Sequence, residues 1–366
     1  MNKKVVFFSP LKPVGGIAVC TQNILQYVKE HNIADFKFVE ASIHFKSANR
    51  QSLFNRLSSV IFDTLYLLLK YTVALLRYRP DVVHVNTSAG NALKKDNLYL
   101  IIAKILRVEV VFHYHFGRIP TLEKQQNKEW NLLLKNVRRA KHVIVLDPLS
   151  KTVLERNGFE GKVSYIPNPC SIKLGKIASE PIQKKIPNRY LFVGHVIPTK
   201  GVYELVNAFT DIRKPLTLEI LGLCNDHVRQ ELEEIARKKD DGKWLSILGN
   251  QTLDVVYSKM STAEALVLPS YTEGFPNVVL EAMALGCPVI ATTVGAIPDM
   301  ILSGDGNPEC GVCIAPKTVE PLKEAILTFS EDQNVKGTYA SNGKKKVLST
   351  YLMDVVFAQY QQVWNK

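Results

Sequence analysis

The 366-residue sequence contains no low-complexity tract and no internal repeat of short period, which sets aside fibrous, disordered and solenoid classes. It has no Asp-x-Asp pair, so the usual carboxylate arrangement for holding a divalent ion against a phosphate is missing. Cysteine is sparse, with six residues (20, 170, 224, 287, 310 and 313) scattered through apolar surroundings, a usage that suits buried thiols in a reducing, cytoplasmic compartment. Cys310 and Cys313 form one CxxC with no second pair, which leaves a four-ligand zinc site incomplete. No long uninterrupted apolar run is present. Lys3 and Lys4 precede apolar residues 5 to 8, a run too short for a signal peptide and better read as a first strand. The apolar stretch 53 to 79 is interrupted by Asp63 and Lys70, against a membrane-spanning helix. No nucleic-acid module is recognisable and the basic residues are not interleaved with aromatics in one patch, so no nucleic-acid partner is expected.

What is present is a repeated alternation of short apolar runs and helical patterns. Strands are expected at 5 to 8, 36 to 40, 82 to 85, 108 to 112 and 142 to 145, and again at 190 to 193, 218 to 221, 245 to 248, 265 to 268 and 289 to 291. Helical periodicity follows most of them, as at 17 to 29, which is the signature of an α/β fold with parallel sheets. With 46% apolar residues, the chain can fill two cores of about 170 to 190 residues each. The proline- and lysine-rich stretch 166 to 187 reads as a linker. The expected division is a first domain at 1–168, a second at 187–345, and an apolar-periodic helix within 346–366.

Charge is uneven. Of the formal +12, residues 1 to 170 hold 25 Lys and Arg against 12 Asp and Glu, while the remainder holds 21 against 22. The 53 to 79 helix carries Arg56, Asp63, Lys70 and Arg77 at intervals of seven on a broad apolar surface, and 130 to 141 sets Leu132, Leu133, Leu134 and Val137 beside Lys135, Arg138, Arg139 and Lys141. Helices of this kind either lie at an anionic bilayer surface or pack as ordinary amphipathic layers on a sheet.

The densest signal lies in PSYTEGFPNVVLEAMALGCPVIA, residues 269 to 291. A short apolar strand ends at Pro269. A turn through Gly274 and Pro276 then starts a helix, with Pro276 expected at its first position. Asn277 and Glu281, four apart, share one face near the helix's positive end, where unpaired amides bind phosphate. Glu273 and Glu281 with seven residues between them, followed by GCPVIAT and Gly295, resemble the signature of the retaining glycosyltransferases of family 4.

That resemblance implies the GT-B architecture, two Rossmann-like domains facing a central cleft, with the last helix crossing back to the first domain. It implies a nucleotide-diphosphate sugar donor of UDP or GDP type, a glycan or lipid-linked acceptor and no cofactor. Glu273 and Lys200, the latter in FVGHVIPTKG, are expected at the reacting centre, Lys200 on the donor diphosphate. Gly274, Phe275, Pro276, Asn277 and Val278 are expected to hold sugar hydroxyls and phosphate through the backbone, and Glu281 to accept from the ribose. In the first domain Gly15 and Gly16, after Pro13, are expected near the phosphates and the acceptor. A histidine ending VVFHYHFG is expected beside the sugar, His115 in preference to His113. His195 stands where the family usually has arginine, so a permanent charge and a bidentate fork are absent there. The implied activity is metal-independent, retaining sugar transfer in surface polysaccharide or glycolipid assembly. The basic first half and its apolar helices add the expectation of a cytoplasmic protein peripheral to an anionic membrane surface, on the inner face of the cell membrane. A nucleotide-sugar epimerase, or a non-catalytic GT-B partner subunit, are the alternatives; Lys200, Glu273, Glu281 and His115 together argue against the latter.

Overall fold

The computed structural model describes residues 3–12, 15–42, 53–307 and 309–366, without the side chains of 53–60 and 333. Pro13 and the Arg56 side chain lie outside the described residues. The chain forms two compact units. Unit 1 comprises Met1–Pro169 with Met353–Lys366, and unit 2 comprises Cys170–Leu352.

Unit 1 contains β1 (Val5–Ser9), β2 (Phe36–Glu40), β3 (Val82–Thr87), β4 (Glu109–Tyr114), β5 (His142–Val145) and β6 (Val163–Tyr165). They pair in parallel in the order β2-β1-β3-β4-β5-β6. Unit 2 contains β7 (Arg189–Val193), β8 (Thr217–Leu221), β9 (Leu245–Gly249), β10 (Ala265–Leu268), β11 (Val289–Thr292) and β12 (Gly311–Ile314). Its order is β12-β11-β10-β7-β8-β9, again parallel. Helices on both faces bury the central strands completely, as β1, β3 and β10 show, which is why β1 and β10 read as apolar runs, whereas β3 buries the polar His84, Asn86 and Thr87 as well. The edge strands β6 and β12 were not expected from the sequence, being short and only partly buried.

Three expectations change. The stretch 166–187 is not simply a linker: Ile172–Ala178 is helical, capped by Ser171, and buries Leu174, Gly175 and Ala178 within unit 2. The helix expected within 346–366 is broken at Leu352, where ψ turns to 145° between a π-helical turn (Val347–Tyr351) and the helix Met353–Asn365. Both sides of the break are apolar, so periodicity carries no mark of it. The last helix docks on unit 1, where the Tyr27 hydroxyl donates to Asp354 Oδ1 at 2.6 Å and Trp364 Nε1 donates to His84 Nδ1 at 3.0 Å.

The third change separates the two amphipathic helices. In Lys128–Arg139 the apolar side is spent inside unit 1: Trp130, Leu133 and Val137 are buried, and Asn136 Nδ2 donates to Leu93 O at 2.8 Å. That helix offers no lipid face. Leu53–Tyr78 differs. It buries Leu67, Tyr71, Ala74 and Leu75 inward, yet Ile61, Phe62, Leu65, Leu69, Val73 and Leu76 on the outer side are 50% to 65% exposed. Among the described residues no helix is long and apolar enough to cross a membrane.

Unit 2 is pinned by a buried ion pair, Lys336 Nζ to Glu264 Oε1 at 3.0 Å, with side chains 6% and 2% exposed. Removing one member of such a pair strands a charge in low dielectric. Lys336→Met is expected to cost about 3–5 kcal/mol in urea unfolding, and the double variant with Glu264→Leu to lose less than that single change.

Candidate active site

In an open parallel sheet, ligands bind outside the carboxyl ends of the strands where the strand order reverses. In unit 2 that point lies between β7 and β10, so the loops following these two strands define the site. They are held in register by their backbones. Gly201 has φ +71°, and a Cβ there would lie 2.1 Å from Pro269 O, while Tyr271 N donates to Thr199 O at 2.9 Å. The turn Pro198–Lys200 therefore presses against the start of the second loop. Lys200 Nζ consequently meets Glu273 Oε1 at 2.5 Å, with both side chains largely buried.

A third loop locks the other end. Gly295 has φ +57°, and a Cβ there would fall 2.4 Å from Glu273 O and 2.6 Å from Gly274 O, while Ala296 N donates to Gly274 O at 2.8 Å. Side-chain-free backbone at Gly201 and Gly295 thus fixes where the Glu273 carboxylate stands.

The helix Asn277–Ala284 begins at this place with no capping side chain. Pro276, expected as the first helical residue, instead sits at the N-cap with ψ 105°, one position before the helix starts at Asn277. The backbone start of the helix is positive and suited to an anion. Phe275 is buried with its ring 5.8 Å from that of Tyr351, so it contributes backbone and not an exposed ring. Asn277 and Val278 are half-buried at the helix start. Glu281, one turn on, sits in a poorly solvated place: burial pushes its carboxyl up to about 7. A hydroxyl donor arriving there would favour the ionised form and pull that value down. His195 is exposed and has no side-chain partner among the described residues.

Sequence reasoning missed the residues that support the second loop. The Tyr271 hydroxyl donates to Glu204 Oε1 at 2.5 Å, and that carboxylate helps push the phenol up to about 12. Lys317 Nζ lies 5.0 Å above the Tyr271 ring. Thr292 Oγ1 donates to Ser270 O at 2.6 Å. These partners are far apart in sequence and follow no spacing rule; the strand register brings them together.

In unit 1 the order reverses between β1 and β3. Gly15 and Gly16 open the helix Gly16–Glu30, and a Cβ at either would meet nothing within 4 Å. Packing within the unit does not demand glycine there, and its absence of side chain leaves room for a ligand. A cavity of about 250 Å³ adjoins this point, lined by Lys12, Ile17, Thr87, Lys95 and Asp96 among others. His113 ends buried within β4, with no partner to either ring nitrogen among the described residues. His115 follows β4, half-buried, its ring centroid 4.0 Å from that of His113 and its Nε2 3.1 Å from Asn86 Oδ1. Burial holds His113 well below its ordinary value and brings His115 down to about 3, so both are neutral near pH 7.

The sequence matches two family descriptions in succession: residues 14–173 match Glycosyltransferase Family 4, and 176–346 match Glycosyl transferases group 1. It is 22% identical over 328 residues to the capsular polysaccharide biosynthesis glycosyltransferase CapM of Staphylococcus aureus, covering 83% of this chain and 82% of CapM. It is 32% identical over 155 residues to an uncharacterized glycosyltransferase of Methanocaldococcus jannaschii, a match spanning 42% of each chain. The crystal structure of Anabaena HepE in complex with UDP shares the fold, with a TM-score of 0.70 at 17% identity over 99% of each chain. Its two parallel α/β units are those of the GT-B architecture, and the chain belongs to glycosyltransferase family 4.

Proposed function

We propose that the protein is a retaining, metal-independent glycosyltransferase that moves a sugar from a UDP- or GDP-sugar to a glycan or lipid-linked acceptor in surface polysaccharide or glycolipid assembly. The observation that carries this reading is the Lys200–Glu273 pair beside an uncapped helix start at the reversal point of unit 2. Breaking the bond between sugar and phosphate leaves a diphosphate of growing negative charge, which fixed cations and helix-end amides stabilise. An ammonium has three donors; Lys200 gives one to Glu273 and keeps others for phosphate oxygens. These fixed donors take the place a divalent ion fills elsewhere.

The remaining roles follow the family pattern. Glu273 stands beside the transferred sugar, and residues 274 to 278 hold its hydroxyls and the phosphate through backbone groups. Glu281 accepts from the ribose. Gly15 and Gly16 leave room near phosphate and acceptor, and His115 meets the sugar. The leaving phosphate takes the acceptor's proton, so neither glutamate acts as nucleophile. HepE was solved with UDP and with UDP-glucose, and CapM is named for capsular polysaccharide, which makes UDP-sugars and surface glycans the first candidates.

Thermal stabilisation by a panel of nucleotides and nucleotide sugars tests the donor class, since a ligand bound to the folded state raises Tm. UDP or GDP is expected to stabilise the protein in the presence of EDTA. Lys200→Ala is expected to weaken nucleotide binding, read by calorimetry, by about 1.5 to 3 kcal/mol, the worth of one hydrogen bond to a charged group. Unchanged affinity would remove Lys200 from the site.

Membrane attachment is the second part of the proposal: the protein sits on the inner face of the cell membrane through the outer side of Leu53–Tyr78. The exposed apolar stripe supports it, as do Lys70 and Arg77 on the same helix and the excess positive charge of the first half of the chain. Neighbouring Asn91–Ile105 adds exposed Leu98, Ile101 and Ile105 together with Lys94 and Lys104. Each basic residue near an anionic surface contributes roughly 1 kcal/mol, screened within a Debye length of about 8 to 10 Å. The protein is expected to sediment with anionic vesicles, less with neutral ones, and less as salt rises. Leu65→Glu with Leu69→Glu should release it. Sedimentation indifferent to lipid charge and to this double change would end the membrane assignment.

A further inference from the structure

Unit 1 buries a polar network that the proposed chemistry does not by itself require. It joins the last helix to the sheet and to the glycine-opened first helix. Its members are Trp364, His84, Asn86, His115, Ser9 and Thr21, and the direction of every hydrogen bond in it can be worked out from one end.

The indole N–H of Trp364 can only donate. It lies 3.0 Å from His84 Nδ1, so that nitrogen carries a lone pair. His84 is fully buried and burial brings it down to about 3, so the ring is neutral and its proton is on Nε2. His84 Nε2 is 3.2 Å from Asn86 Oδ1, and a donor there must face oxygen, which fixes the orientation of the amide. Asn86 Nδ2 then donates to Ser9 Oγ at 2.9 Å. Thr21 Oγ1 donates to Ile17 O at 2.8 Å, so at the 2.6 Å contact between the two hydroxyls Ser9 is the donor. The same Asn86 Oδ1 lies 3.1 Å from His115 Nε2. An oxygen that only accepts requires a proton on that nitrogen too.

We propose that Trp364, His84 and Asn86 are positioning residues that hold His115 as its Nε2–H tautomer, leaving Nδ1 as a bare acceptor for a hydroxyl. The consequence for sugar transfer rests on the reading of His115 given above; the tautomer itself does not. His115 Nδ1 has no partner among the described residues, so the ring can receive a hydrogen bond from a sugar hydroxyl there but cannot give one to an oxyanion. The helix that returns to unit 1 thereby has a chemical task beyond packing.

Proton-detected ¹⁵N spectra of the whole, histidine-labelled protein at neutral pH test this, with signals assigned by His84→Gln and His115→Gln. Exchange-protected Nε2–H signals are expected from both His84 and His115, with no Nδ1–H from either. Trp364→Phe, which keeps a ring in the same place, should let an Nδ1–H form of His84 appear. Asn86→Leu should lose both protected Nε2–H signals, and Asn86→Asp, which still accepts, should keep them. An Nδ1–H signal from His115 in the unaltered protein, or an Asn86→Leu spectrum with both signals intact, would overturn the proposal. A His115→Ala protein with undiminished transfer would instead remove His115 from the sugar site and leave the tautomer chain standing.

Discussion

The site depends on the near contact of three loops through bare backbone at the carboxyl end of the unit 2 sheet. Two glycines in the left-handed region let one loop rest on Pro269 O and another on Glu273 O and Gly274 O. A Cβ at either place would fall 2.1 Å or 2.4 Å from a backbone oxygen, well inside van der Waals contact, and would force the loops apart. Lys200 and Glu273 meet because that contact is tight. In the proposed reaction these fixed donors would face the diphosphate without reorganisation, which is where preorganised electrostatics is worth most. Around this constraint the supporting contacts of Tyr271 with Glu204 and Lys317 read as bracing for the loop that bears the carboxylate.

Much of this was legible in the sequence for definite physical reasons. Central parallel strands are buried on both faces, so β1, β7 and β10 stand out as apolar runs whatever else surrounds them. The Gly274 to Glu281 turn is legible because its glycine, proline and glutamate each answer a local demand of backbone or charge. The edge strands β6 and β12 carry no such signal. The break at Leu352 was hidden because an apolar helix pattern continues through it. The two amphipathic helices looked alike in sequence, yet Trp130, Leu133 and Val137 turn inward while Leu65, Leu69 and Val73 remain outside. Which face of an amphipathic helix finds a partner is a property of its neighbours, and no spacing reports it.

The histidines show the same division. Residues 113 and 115 share a side of β4, so the sequence could place them together but could not separate their surroundings. The fold buries His113 within the unit and leaves His115 half-buried beyond the strand, bonded to Asn86. Asn86, His84 and Trp364 come from a neighbouring strand and from a helix 280 residues away from His84. Long-range partners of this kind are where a sequence says least and a register says most. They also tie the two ends of the chain into one unit, so that Trp364 is both a core side chain and the donor that starts a directed network.

The central claim is that the three-loop contact presents Lys200 and the start of Asn277–Ala284 to a donor diphosphate. A crystal structure of the protein with an unreacted nucleotide sugar measures this directly. The account predicts phosphate oxygens within hydrogen-bond distance, about 2.7 to 3.2 Å, of Lys200 Nζ and of backbone amides at the helix start, with the ribose hydroxyls on Glu281 and the loops at Gly201 and Gly295 unmoved. A diphosphate seated elsewhere, with Lys200 still bonded to Glu273 alone, would contradict it.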